Sequence, residues 1–104
     1  MAARTGVDLD ALIAVMAAGA GGSAMLDLKA GPMRRHDYTT LFKLDHMLKD
    51  VRLCLGEAER EGVPFPFSEL TRDTLARAAE MGHGDDDFAA LIEVLEAAAN
   101  TRLA

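Results

Sequence analysis

The stretch LFKLDHMLKDVRLCLGEAEREG, from Leu41 to Gly62, decides how this chain folds. Leu41, Leu44, Leu48, Val51, Leu55 and Ala58 recur at alternating steps of three and four. That is the spacing of one face of an α-helix. The stripe lasts about five turns and predicts the longest helix of the chain. Gly62 supplies its stop, and Pro64 and Pro66 prevent continuation.

The same helix carries a second line. Phe42, His46, Lys49, Leu53 and Gly56 fall nearly opposite the stripe at about 100° per residue. An ordinary surface helix is polar there. A glycine in mid-helix costs about 1 kcal/mol relative to alanine, and it is easiest to understand where something packs close to the backbone. Both sides of the helix are therefore expected to be covered, one by the chain's own core. A lone Lys49 would lie along a mildly apolar surface with its ammonium in water. Flanked by Phe42 and Leu53, it also suits an anionic or carbonyl-bearing ligand. The residues by themselves leave both readings open.

Outward from this element, the remaining signals are also helical. Asp8 is placed to cap a helix with Leu9, Leu12, Ile13 and Met16 on one face, ended by Gly19-Ala20-Gly21-Gly22. Ser23 caps a shorter helix through Met25, Leu26 and Leu28, which Gly31-Pro32 closes, leaving Met33 to Thr39 as a loop. After the central helix, Ser68 caps a fourth carrying Leu70, Leu75, Ala78 and Met81 and ending at Gly82. Asp85 or Asp86 caps a fifth, with Phe88, Leu91, Ile92 and Leu95 on its face. Gly6 reads as a helix stop although only Met1 to Thr5 precede it. The expectation is a single all-α domain over residues 1–104, a bundle of about five helices.

Composition agrees. With no Trp and five aromatics in 104 residues, the core must be built from Ala, Leu, Val and Met. A net charge of −6 with dispersed cations argues against a nucleic-acid partner. No apolar run reaches a membrane span, no signal pattern opens the chain, and the single Cys54 suits a reducing compartment. The expected location is cytoplasmic. GHGDDD offers His83 beside three aspartates, but acids at a helix start suit its dipole, and no metal is expected there. His36 and His46 read as surface or interface residues, and Cys54 as packed within its helix.

The run from Phe42 through Lys49-Asp50 to Leu55, then GVPFP, then GHGDDDFAALIEVL, resembles the C-terminal domain of the β-hydroxyacid dehydrogenases. That family includes 3-hydroxyisobutyrate dehydrogenase, tartronate semialdehyde reductase and relatives of 6-phosphogluconate dehydrogenase. GVDLDALIAVMAAGAGGSAML is similar to the segment after the family's long interdomain helix, which would make Gly6 the end of that helix, cut away upstream. The resemblance implies that Lys49 reaches the nicotinamide of NAD or NADP, that Phe42 lies beside it and that Asp50 is structural. It also implies a catalytic lysine upstream with no counterpart here, since Lys29 and Lys43 lie in the wrong context. Gly56 stands where the family commonly has an acid.

The implied role is the cofactor-binding and dimerisation domain of an NAD(P)-dependent hydroxyacid dehydrogenase. It would be inactive alone, with no catalytic residue of its own, partnered by a Rossmann domain and forming a homodimer. The rival expectation is a free-standing helical interaction module descended from such an enzyme.

Overall fold

In the computed structural model, described over residues 1–103, five α-helices follow one another: α1 (Leu9–Ala18), α2 (Ala24–Arg35), α3 (Leu44–Arg60), α4 (Pro66–Ala78) and α5 (Ile92–Ala99). The described residues contain no strand, only an isolated antiparallel bridge between Lys43 and Asp87. None of their helices is long and apolar enough to cross a membrane. The chain divides into two compact units. Met1–Asp37 with the stretch from Leu95 onward forms one, and Tyr38–Val94 the other.

In the first unit the expected caps are in place. Asp8 accepts the Ala11 N–H at 2.8 Å to start α1, and the Ser23 hydroxyl accepts the Leu26 N–H at 2.9 Å to start α2. Gly6 adopts φ +74° and closes a single 3-10 turn over Ala2–Thr5. The expected end of α2 at Gly31-Pro32 is corrected: the helix runs through both residues to Arg35, so Met33 to Arg35 are helical. A proline restrains the residue before it mainly by clashing with that residue's Cβ and N–H. Gly31 has no Cβ, which relieves much of this clash. The stop comes instead at His36, in the left-handed region at φ +55°. The His36 Nε2 meets both oxygens of the buried Glu96 carboxylate at 2.8 and 3.0 Å, and Glu96 also accepts the Leu103 N–H at 2.7 Å.

The second unit is built on α3 and α4. Its core is Leu44, Leu48, Leu75, Ala78 and Ala90, with Met47, Val51, Phe88, Leu91 and Val94 packed around them. This is the Leu/Ala core that composition demanded. Several boundaries move. The central helix begins at Leu44, not at Leu41, which is 70% exposed. Pro66 does not merely end what precedes it. It occupies the first position of α4, where its missing N–H is not needed. Ser68 therefore lies inside the helix and is not its cap. Leu70 and Leu95, expected on core faces, are more than half exposed. Cys54, expected to be packed, is exposed on α3.

The start of the last helical stretch is also corrected. Neither Asp85 nor Asp86 caps it. Asp87 does, accepting the Ala89 N–H at 2.9 Å at the head of a 3-10 turn, Phe88–Leu91, that leads into α5. The other oxygen of Asp87 accepts the N–H groups of Leu41 and Phe42 at 3.1 and 3.0 Å. The buried carboxylate thus fastens the entry to α3 onto the segment before α5. Backbone bonds from Phe88 to Phe42 and from Leu44 to Asp86 run alongside it, at 3.0 and 2.8 Å.

Candidate functional site

The second line along α3 is open in this unit. Lys49 is 64% exposed at its side chain, Leu53 is 66% exposed, and His46 is exposed. A Cβ placed on Gly56 would meet nothing within 4 Å. The expected covering of this face is not provided by the residues of Tyr38–Val94. Phe42 departs from the reading as a helical residue. It lies in the turn ahead of α3, held there by Asp87. Its ring still reaches the line, standing edge-on to His46 at 6.0 Å and to Phe88 at 6.2 Å between centroids. Phe42 therefore forms one end of a ledge and Lys49 stands about two turns along it.

The Lys49 ammonium lies 3.3 Å from the carboxylate of its neighbour Asp50, and both are exposed. An ion pair in water of this kind contributes about 0–1 kcal/mol, so Lys49 remains available to a ligand. The ledge can do two things chemically. The ammonium can meet an anionic or polar carbonyl group, and the aromatic edge and Leu53 can cover a flat ring. Gly56 adds room beside the backbone. The residues present thus fit a nicotinamide cofactor, whose ring carries a carboxamide.

The acids of GHGDDD go to separate partners. Asp85 receives the Lys43 ammonium at 3.1 Å, Asp86 meets His83 Nδ1 at 2.8 Å, and Asp87 turns inward. Sequence reasoning missed the positioning role of Asp87. The signal available was its place directly ahead of the apolar run Phe88-Ala89-Ala90, where a cap is needed. Lys29, set aside as out of context, is buried within α2.

The class this fold defines is an all-α domain, with Lys49-Asp50 and the Phe42 ring on one open side of its longest helix. The family described as the NAD-binding domain of NADP-dependent 3-hydroxyisobutyrate dehydrogenase matches residues 1–95, and the chain belongs to that family. It is 37% identical over 95 residues to glyoxylate/succinic semialdehyde reductase 2, chloroplastic, of Arabidopsis thaliana, covering 91% of this chain and 26% of the reductase. It is 34% identical over 91 residues to L-threonate dehydrogenase of Cupriavidus necator, covering 88% and 31%. The crystal structure of 3-hydroxyisobutyrate dehydrogenase from Salmonella typhimurium superposes with a TM-score of 0.84 at 29% identity, over 89% of this chain and 33% of that one. The chain thus spans about a quarter to a third of the length of these relatives.

Proposed function

We propose that this chain acts as one helical domain of an NAD(P)-dependent hydroxyacid dehydrogenase, presenting Lys49 and Phe42 to the nicotinamide end of the cofactor. The observation that carries the reading is the open ledge on α3, where a cation, an aromatic edge and a bare glycine line up with no cover from their own unit. When bound, the cofactor supplies hydride acceptance and donation at its nicotinamide ring. Lys49 orients the ring through a charge-assisted contact, and Phe42 with Leu53 shields one side from water. The catalytic lysine that the family resemblance implies has no counterpart in this chain, so the chemistry draws on a Rossmann domain and the catalytic lysine upstream. The domain is inactive alone, works in the cytoplasm and forms a homodimer.

A chimera tests this. In it the chain replaces the matched segment of the Arabidopsis reductase. The chimera should reduce glyoxylate with NADH or NADPH, while the isolated chain shows no turnover. In the chimera, Lys49→Ala should raise the cofactor KM about tenfold, equivalent to roughly 1.4 kcal/mol, and Lys49→Arg should recover part of it. A folded chimera whose cofactor KM ignores Lys49→Ala would sink the assignment. It would favour the free-standing interaction module, a reading supported by Phe67, which is 86% exposed.

A further inference from the structure

The chain has three histidines, and carboxylates account for two of them. His36 meets Glu96 at 2.8 Å, and His83 meets Asp86 at 2.8 Å. His46 has no such partner. Among the described residues its ring nitrogens make no hydrogen bond or ion pair, and its ring contact is the edge of Phe42. The charged groups around it are engaged elsewhere. On α3, Lys49 lies against Asp50, and the Asp45 carboxylate is turned onto Gly84, where it would stand 2.6 Å from an added Cβ. In the loop packed against the start of the helix, Asp85 takes the Lys43 ammonium and Asp87 accepts backbone N–H groups. Helix α4 packs on the other side of α3, against Leu44 and Leu48. His46 is thus an exposed, unengaged imidazole on the ledge, four residues after Phe42 and three before Lys49, spacings that make all three neighbours on one side.

We propose that His46 is a specificity-determining residue of the ledge, which makes the preference for reduced over oxidised cofactor depend on pH. The inference rests on the proposed cofactor role of Lys49 and Phe42, since a ring that meets both lies beside the residue between them. The argument is charge. An oxidised nicotinamide ring carries a formal positive charge, and the reduced ring carries none. Any cation on the ledge therefore disfavours the oxidised form relative to the reduced one. Lys49 does so equally at every pH near neutrality, and the Asp50 carboxylate at 3.3 Å offsets part of its effect. Histidine is the side chain whose charge changes between about pH 5 and 8. Protonated, His46 adds a second cation to the ledge. Neutral, it adds none. The sign follows directly. As pH falls, binding of the oxidised form weakens relative to the reduced form, and as pH rises this part of the difference disappears. Coupling between two binding events is reciprocal, so oxidised cofactor must drive protons off His46 when it binds, and reduced cofactor must not. An apolar residue at position 46 would cover the ring without giving the ledge this dependence.

The experiment is equilibrium binding, with no substrate present. The chimera with the Arabidopsis reductase is titrated with NADP⁺ and with NADPH by calorimetry, from about pH 5.5 to 8. The ratio of the oxidised to the reduced dissociation constant should rise about threefold toward the acid end, the size expected of one added charge in an exposed setting. His46→Gln, polar but unable to titrate, should leave the ratio flat. His83→Gln should keep the wild-type slope, because that ring is tied to Asp86. Repeating the titrations in buffers of different ionisation heat reads the protons themselves. Part of a proton should leave with NADP⁺ in the wild type and none from position 46 in His46→Gln. A ratio independent of pH in the wild type overturns the proposal, and so does a slope that survives His46→Gln. The cofactor reading fails by a different result, Lys49→Ala leaving both dissociation constants unchanged. If the chimera does not fold, the same comparison is made on the 104-residue chain with nicotinamide mononucleotide in its two redox states. The ring-proton resonances of His46 then report its titration midpoint, which should fall with the oxidised form alone. A midpoint that neither form moves, or that both move equally, overturns the proposal.

Discussion

Asp87→Ala is expected to lower the unfolding free energy by about 3 kcal/mol, seen as a fall in the thermal midpoint of roughly 15 °C. The carboxylate is 2% exposed and receives three backbone N–H groups, from Leu41, Phe42 and Ala89. Removing it does not merely delete three bonds. Ala89 is fully buried, so its N–H would be left without water, at a cost of about 1–3 kcal/mol by itself. Leu41 and Phe42 are exposed enough for water to replace part of what is lost. Asp87→Asn keeps one acceptor but turns an NH₂ toward the other donors, and should cost about half as much. Denaturant melts of the three proteins decide it. A loss below about 1 kcal/mol for alanine would mean that solvent reaches all three donors. The consequence for the site is direct, because the same carboxylate holds the turn from which Phe42 reaches His46.

Much of this fold was legible because local chemistry and packing agreed. Asp8, Ser23 and Gly6 are read correctly since a cap acts within one turn of itself, and no tertiary contact overrode it. The misreadings share a cause. Pro32 reads as a stop unless one notices that Gly31 before it removes the Cβ clash. Pro66 reads as a terminator, although a proline is equally at home opening a helix. Asp85, Asp86 and Asp87 are interchangeable in a local rule. Which of them caps is settled by which side chain also reaches Leu41 and Phe42, far away in sequence. The site behaves the same way. Lys49, Leu53 and Gly56 follow from helical arithmetic and stand where it puts them, on the open side of α3. Phe42 does not, because the helix starts later than its apolar period suggests. Periodicity continues past a helix end whenever the flanking turn happens to be apolar.

That last point makes a sharp experiment, since Leu41 and Leu44 are the same residue type at consecutive positions of the same stripe. Leu44→Ala should cost about 3 kcal/mol, and Leu41→Ala should stay within about 0.5 kcal/mol of wild type. Leu44 is fully buried and lies in the cluster with Leu48, Leu75, Ala78 and Ala90. Truncating it removes apolar contact and leaves a cavity that the surrounding helices close only in part, so the cost exceeds simple transfer to water. Leu41 is 70% exposed ahead of the helix, and what the fold uses there is its backbone N–H, which alanine retains. Urea unfolding at matched concentration gives both numbers. A Leu41→Ala loss comparable with that of Leu44→Ala would mean that the helix extends to residue 41 and that the whole stripe is core. The turn that aims Phe42 along the ledge would then have to be redrawn, and with it the aromatic half of the proposed cofactor site. The contrasting result, a large loss at one leucine and almost none at the other, places the start of α3 between them. It leaves Phe42 in the turn, free to face a ligand, because the core ends at Leu44.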